Sequence, residues 1–242
     1  MKELNLKISL AHLYPTLLPE QAGNILVLKN RCEWRGIDVE LTSVNSVLDL
    51  QPHDVYFIGN GPDSSVKNVV EDLIKSKSFL LSERDNSAIF LGVCAGFKLL
   101  GNFFELNNGE YVSGLTLFDV DSKLGKTRFT GNVTAKSEHL SNEIIVGFEN
   151  HLDIVNLKSD VKSLANVLIG NGNNGQDKTE GAVYKNVFGT NLHGPVLALN
   201  PHFADYLISL ALEKRYGKKI ELTMLNDDFE TKAHSNLVDK VY

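Results

Sequence analysis

The chain has 242 residues, of which 43% are hydrophobic, and a formal net charge of −6 at pH 7. A chain of this size can bury one large core, and an acidic balance without a basic cluster argues against nucleic acid as a partner. Its two cysteines, Cys32 and Cys94, are too few for a disulfide framework, which indicates a reducing compartment. We find no signal-like N-terminus and no apolar run that could span a bilayer, so we expect a cytoplasmic protein without membrane insertion.

The first half of the chain alternates strand and helix signals. Apolar periodicity predicts strands over Leu4–Leu10, Ile37–Val44, Asp54–Ile58 and Ala88–Val93, and helices over Asn24–Arg35 and Val66–Leu81. Such an order predicts an α/β fold with a mostly parallel central sheet and helices on both faces.

The second half carries short strand signals that Gly and Asn turns separate. The predicted strands are Thr116–Asp121, Gly131–Ser137, Ile144–Phe148, Val167–Ile169 and Val183–Asn191, before a helix over Pro201–Tyr216. The last stretch, Leu225–Tyr242, is polar and weakly helical. We therefore expect a single domain over residues 1–220, with an added late β-rich part, and a helical tail over residues 221–242.

The most informative residue is Cys94. The apolar strand ending at Val93 runs straight into it, and Ala95 and Gly96 follow before helical spacing resumes. A strand that turns sharply into a helix at one nucleophilic side chain is a nucleophile elbow, and the N-terminus of that helix favours a thiolate. A lone strand cysteine is otherwise more often a buried core residue.

A histidine stands at the end of another apolar strand. His193 lies between small residues in Gly189–Pro195, so we interpret Cys94 and His193 as a catalytic pair. The turn Gly59-Asn60-Gly61 ends the third strand at the same sheet edge. Its backbone N–H groups, with that of Ala95, are candidates for stabilising an oxyanion; the alternative is an ordinary strand-to-helix turn.

A second glycine cluster, Gly170–Gly175, matches the dinucleotide-binding pattern G-x-G-x-x-G. Polar residues follow it where that motif requires an apolar helix, so the pattern favours a turn between late strands.

Three motifs together resemble the class I glutamine amidotransferase family. They are Gly92-Val-Cys94-Ala-Gly96, Ile58-Gly59-Asn60-Gly61 and Thr190-Asn-Leu-His193-Gly194. Within that family the chain is most similar to the cobyric-acid-synthase-like branch, and more closely to the GatD glutaminase subunits of lipid II isoglutaminyl synthase. The segments Gly147–His151 and Gly170–Asn174 single out this branch. The resemblance covers most of the chain and includes Lys126–Gly131.

The resemblance implies a reaction and a substrate. Cys94 would attack the side-chain amide of L-glutamine to form a glutamyl thioester, and His193 would activate the thiol and protonate the departing ammonia. Arg128 stands in the family's Lys-Thr-Arg motif, which implies that it holds the glutamine α-carboxylate; the alternative is an exposed arginine at a strand edge.

The resemblance also implies a partner. The chain contains no G-x-x-x-x-G-K-[ST] motif, so we expect it to bind no nucleotide cofactor and no metal of its own. The family forms a heterodimer with a Mur-ligase-like synthetase (MurT type). That subunit would use ATP and Mg, hold the lipid II acceptor and amidate its D-glutamate to D-isoglutamine in peptidoglycan biosynthesis.

The sequence departs from the family pattern at two places. Many class I amidotransferases have His-x-Glu, but Gly194 and Pro195 follow His193 here, so a distant carboxylate or the partner must orient the imidazole. Glu149 and Asp177 are the candidates within this chain. Lys98 replaces a frequent glutamine, and either lowers the pKa of the thiol or is simply solvated.

The sequence leaves several alternatives open. Glu149, Asn150 and His151 either line the site entrance or form a structural turn. A cobyric-acid-type or other biosynthetic glutaminase differs from the favoured function only in its acceptor. A DJ-1-type cysteine hydrolase also has a cysteine elbow, and a scaffold subunit with a dead pocket is the non-enzymatic alternative.

Overall fold

The computed structural model describes residues 5–141, 143–158 and 160–238. Its strands are β1 (Lys7–Leu13), β2 (Asp38–Val44), β3 (Val55–Ile58), β4 (Ile89–Val93), β5 (Phe103–Glu105), β6 (Tyr111–Ser113), β7 (Val120–Ser137), β8 (Glu143–Leu157), β9 (Ala165–Ile169), β10 (Thr179–Glu180), β11 (Ala182–Tyr184), β12 (Val187–Thr190) and β13 (Leu192–His193).

The α-helices lie between the early strands and at the end of the described chain. They are α1 (Gly23–Glu33), α2 (Asp63–Leu73), α3 (Lys77–Asp85), α4 (Ala95–Leu100), α5 (Val196–Leu199), α6 (Pro201–Tyr216) and α7 (Asp228–Val238). Short 3₁₀ turns occupy Val47–Asp49, Ile74–Ser76 and Glu138–Leu140. None of the helices described here combines the length and the apolar character needed to cross a bilayer.

The first sheet has six strands in the order β11-β12-β4-β3-β1-β2. All neighbours are parallel except β11 and β12. Side chains of α1, α5 and α6 pack against one face of this sheet, and side chains of α2, α3 and α4 pack against the other. The predicted α/β fold, a mostly parallel sheet between two helical layers, is confirmed.

The second sheet is built on a long antiparallel hairpin of β7 and β8. It also contains β5, β6, β9, β10 and β13, and it is the late β-rich part that the sequence predicts. The chain leaves the first sheet at the end of β12 and enters the second at β13, where Leu192 pairs with Glu149 and His193 with Phe148. Thr190 and Asn191 therefore form the crossing between the two sheets.

Several predicted boundaries differ from the structure. The helix predicted over Val66–Leu81 is two helices that the 3₁₀ turn Ile74–Ser76 joins. The strand predicted over Thr116–Asp121 is wrong in its first part, because β7 begins at Val120. The strand predicted over Val183–Asn191 is interrupted by a turn at Lys185, whose φ of +52° is incompatible with a strand. The prediction for Pro201–Tyr216 is confirmed, whereas Leu4 lies outside the described residues.

Two arginines, one in α1 and one just after it, bind the C-terminal tail. The buried guanidinium of Arg31 forms paired hydrogen bonds of 2.7 and 2.8 Å with each of Asp205 and Asp227. Arg35 donates a 2.6 Å bond to the backbone oxygen of Thr223. Charge-assisted paired bonds of this kind fix geometry as well as adding energy. The tail is helical over Asp228–Val238, and residues 239–242 lie outside the described chain.

Candidate active site

Cys94 occupies a strained elbow between β4 and α4. Its backbone angles are φ +54° and ψ −110°, a conformation that costs a non-glycine residue free energy and persists only where its surroundings enforce it. The amide of Cys94 donates a 2.8 Å bond to Thr190 O, and the amide of Gly96 donates a 2.9 Å bond to Gly59 O. A Cβ atom on Gly96 would lie 2.2 Å from Ile58 O, so the following helix can approach β3 only with glycine at this position.

Cys94 and His193 line the same cavity, as the sequence predicts for a catalytic pair. This cavity has a volume of about 180 Å³ and lies where the two sheets meet at the crossing. Other residues that line it are Asn60, Ala95, Lys98, Asn107, Leu124, Arg128, Asn150, His151, Leu152, Asp153 and Asn191. The arrangement places a thiol, an imidazole and polar side chains around a space suited to a small polar molecule.

The electrostatic state of the thiol differs from the expectation based on the helix N-terminus. Burial raises the pKa of Cys94, and this effect outweighs the lowering by the Lys98 ammonium. The Lys98 side chain is mostly buried and pairs with Asp153 at 3.1 Å, so it is not simply solvated and its charge is largely compensated. Cys94 in this structure is therefore a neutral thiol, whose Sγ donates a weak 3.9 Å contact to Asn191 O.

His193 is held as a neutral imidazole at pH 7. Burial lowers its pKa, while the Glu20 carboxylate and the backbone carbonyl of Asn150 act in the opposite direction. A neutral ring can accept the thiol proton, as a general base requires. Sequence reasoning missed Glu20, because nothing in its local sequence indicates that it lies near His193.

Neither of the two acids proposed to orient His193 is available for it. The Glu149 carboxylate accepts bonds from both nitrogens of Asn171 at 2.9 and 2.7 Å and from Gly172 N at 2.9 Å. The Asp177 carboxylate bonds with Asn174 and Thr179. Among the residues that the structure describes, no carboxylate forms a hydrogen bond with the His193 ring. Glu149 thus supports the loop after β9 rather than the cavity entrance.

The candidate oxyanion donors lie close together, but two of them, the amides of Ala95 and Asn60, already donate hydrogen bonds within the protein. The amide of Ala95 donates a 3.1 Å bond to Asn60 Oδ1, and the amide of Asn60 donates a 3.1 Å bond to Glu20 O. The Asn60 side-chain amide in turn donates a 2.5 Å bond to the Glu20 carboxylate. Gly59 and Gly61 lie against the segment before α1, where a Cβ on Gly59 would stand 2.3 Å from Glu20 O. An oxyanion can use the Ala95 amide only after the Asn60 side chain releases it.

Arg128 lies on β7 at the cavity wall, with an exposed side chain. Its guanidinium donates a 3.1 Å bond to Asn150 Oδ1. His151 also lines the cavity, and its Nδ1 lies 2.9 Å from Asp153 O. Arg128 therefore combines the cavity position expected of a carboxylate-binding residue with the exposure expected of a strand-edge arginine.

The Gly170–Gly175 segment forms the loop between β9 and β10. Gly170, Gly172 and Gly175 all have positive φ, and no helix follows them. The predicted turn between two late strands is confirmed.

Solved structures share the architecture of this chain. A crystal structure of a glutamine amidotransferase matches with a TM-score of 0.60 and 16% identity, over 84% of this chain and 98% of that chain. A glutamine amidotransferase from Thermotoga maritima matches with a TM-score of 0.54 and 13% identity, over 99% and 97% of the two chains. At these identities the likeness concerns the fold, which is that of class I glutamine amidotransferases.

Sequence similarity identifies the family to which the chain belongs. Residues 10–201 match the CobB/CobQ-like glutamine amidotransferase domain, and the chain belongs to this family. It is similar to the GatD subunit of lipid II isoglutaminyl synthase from Streptococcus pneumoniae, with 35% identity over 91% of this chain and 86% of that protein. The GatD subunit from Staphylococcus aureus is 33% identical over 90% and 88% of the two chains. A cobyric acid synthase from Clostridium tetani is 29% identical, over 65% of this chain and 32% of its own.

The charge of Lys98 should control the reactivity of Cys94. Because Lys98 lowers the pKa of the thiol, Lys98→Met should raise that pKa and slow alkylation by iodoacetamide at pH 8 by roughly 3–10-fold. Mass spectrometry of the Cys94 peptide would measure the rate separately from Cys32, which is fully buried. Lys75→Met, at an exposed lysine that also pairs with an aspartate, is the matched control and should leave the rate unchanged. Equal rates for both variants would mean that Lys98 does not act on the thiol.

Proposed function

We propose that this chain is the glutaminase subunit of a lipid II isoglutaminyl synthase. The observation that carries the proposal is the strained Cys94 elbow, which shares one small polar cavity with a neutral His193. The similarity to GatD subunits extends over about nine-tenths of this chain, whereas the cobyric acid synthase from Clostridium tetani aligns over only 32% of its length. That difference favours a GatD-type subunit over a cobyric-acid-type glutaminase.

The chemistry follows from the two side chains. His193 takes the thiol proton as Sγ of Cys94 bonds to the amide carbon of L-glutamine, and the tetrahedral intermediate places its negative charge on oxygen. Collapse of the intermediate breaks the carbon–nitrogen bond, and the proton on His193 leaves with ammonia. Water then adds to the glutamyl thioester, which releases glutamate and restores the thiol. Once the Asn60 side chain has turned away, the amide of Ala95 stabilises the oxyanion together with those of Gly59 and Gly61, whereas the Asn60 amide stays bonded to Glu20 O.

Glutamine recognition requires a cation for its α-carboxylate. Arg128 lies at the cavity wall, and a planar guanidinium suits paired bonds to a carboxylate. We assign it this role. The Asn150 bond holds the guanidinium near the cavity before the substrate enters.

The ammonia needs an acceptor that this chain does not activate. We propose that a Mur-ligase-like synthetase subunit (MurT type) forms a heterodimer with it in the cytoplasm, uses ATP and Mg, and holds the lipid II whose D-glutamate is amidated to D-isoglutamine. The chain itself uses no cofactor in this scheme. A carboxylate of the partner would complete the site by orienting His193.

Cys94→Ala should abolish release of glutamate from glutamine, because the covalent route is lost. His193→Ala should be nearly as severe, and the double variant should be no worse than Cys94→Ala alone, since residues that act as one unit are not additive. A coupled assay of glutamate, with circular dichroism to verify folding, measures both effects. Substantial glutaminase activity in Cys94→Ala would refute the thioester mechanism.

Arg128→Ala should raise KM for glutamine by more than about 30-fold, since a charge-assisted hydrogen bond contributes roughly 2 kcal/mol or more. Alkylation of Cys94 by iodoacetamide, which has no carboxylate, should stay at the wild-type rate. Lys123→Ala, at an exposed lysine on the same strand β7, is the control for a general loss of positive charge. An unchanged KM in Arg128→Ala would assign the α-carboxylate to another residue.

The isolated chain should be a slow glutaminase that its synthetase accelerates. Removal of the orienting acid in related triads costs about 10⁴-fold in kcat, so the partner's carboxylate should increase the rate by a large factor. Copurification from native cells, followed by glutaminase assays of the chain alone and of the complex, measures this. Amide substitutions at the partner's interface carboxylates then identify the acid. A lone chain as fast as the complex would contradict the shared-site proposal.

A further inference from the structure

Glu180 is a fully buried carboxylate that accepts hydrogen bonds from the crossing, Thr190 and Asn191, which leads to His193. Glu180, on the short strand β10, has no exposed surface and forms no ion pair with any Lys, Arg or His in the described chain. Its Oε1 accepts a 2.6 Å bond from the Thr190 hydroxyl and a 3.2 Å bond from the amide of Asn191. These are the two residues that join the first sheet to the second.

The same two residues contact Cys94 directly. The backbone oxygen of Thr190 accepts the bond from the Cys94 amide, and the backbone oxygen of Asn191 faces its Sγ. The Thr190 hydroxyl also accepts a 3.1 Å bond from the amide of Leu192, the residue before His193. The Glu180 carboxylate therefore holds the crossing, which contacts Cys94 and leads directly to His193.

We propose that Glu180 is a positioning residue of the glutaminase reaction. It acts through the crossing, Thr190 and Asn191, and sets the position of Cys94 relative to His193. This inference rests on the function proposed above. It assigns Glu180 no contact with glutamine and no proton transfer.

The electrostatic cost of Glu180 supports a role beyond packing. Burial raises the pKa of its carboxyl to about 7, and the nearby Glu149 carboxylate adds to the rise. The bonds from Thr190 and Asn191 act in the opposite direction. Its Oε2 and the Asn191 side-chain nitrogen are both buried and lack a described partner. A buried acid without a cation destabilises a fold relative to an apolar side chain of similar size, so folding alone does not favour its presence here.

The test compares variants that keep or remove the acceptor. Glu180→Gln retains a carbonyl oxygen for the Thr190 hydroxyl and the Asn191 amide, whereas Glu180→Leu removes it at similar volume. Thr190→Val removes the donor hydroxyl without changing the acid. Glu83→Gln is the matched control, since Glu83 is also buried but bonds to Tyr56 near the opposite end of the sheet. Each full-length variant is assayed in the form, alone or with copurified partner, in which the wild type is faster.

Glu180→Leu and Thr190→Val should each lower kcat by roughly 10²-fold, the effect of a small misplacement of reacting groups, with KM changed by less than about threefold. The double variant should be no more than about threefold worse than Glu180→Leu, because both changes release the same turn. Glu180→Gln should restore kcat to within about tenfold of wild type, and Glu83→Gln should match wild type.

Other outcomes overturn the inference. A kcat loss that follows the folded fraction in thermal unfolding, or a KM rise as large as the kcat loss, would make Glu180 a structural residue only. If Glu180→Leu does not fold, Thr190→Val and Glu180→Gln decide the question, and wild-type kcat in Thr190→Val would refute it. A wild type that releases no glutamate in either form would instead refute the proposed function, and the positioning role with it.

Discussion

The hydrogen bond from the Cys94 amide to Thr190 O is the contact on which the site depends. It joins the strained end of β4 to the end of β12, the last parallel strand added to the first sheet. The backbone of Cys94 is held in its unfavourable conformation by this bond on one side and by the close approach of Gly96 to β3 on the other. The chain then crosses to the second sheet within three residues, which brings His193 to the same cavity.

The groups that line the cavity are either neutral or already paired with a neighbour. Burial favours the neutral forms of both the Cys94 thiol and the His193 imidazole, so an ion pair between them is costly to form. The Lys98 ammonium, which could favour a thiolate, is compensated by Asp153. The Ala95 amide is occupied by Asn60, which Glu20 holds in turn. Under the proposed mechanism, each of these contacts has to change or be supplemented, and the proposed partner subunit is the element that would do so.

Sequence patterns predicted the parts of the site that rest on local chain geometry. The Cys94 elbow, the position of His193 and the loop at Gly170–Gly175 all follow from short motifs, and the structure places them as expected. Contacts between distant segments were not predictable in this way. Glu20 reaches Asn60 across 40 residues, and Glu180 sits in a two-residue strand without a periodic signal. The state of the thiol was predicted wrongly, since the helix N-terminus is visible in the sequence but the extent of burial is not.

The order of strands in the first sheet has a consequence for folding during synthesis. Strand β4 lies in the interior of the sheet only because β12, almost a hundred residues later in the chain, pairs with it. A nascent chain that ends before Val187 leaves β4 as an unpaired edge and the Cys94 amide without its acceptor. Unpaired strand edges promote association with other chains. Parallel pairing between strands distant in sequence is also slow to form. The Cys94 elbow is therefore completed late in folding, and incomplete chains are exposed to aggregation at the strand that leads to Cys94.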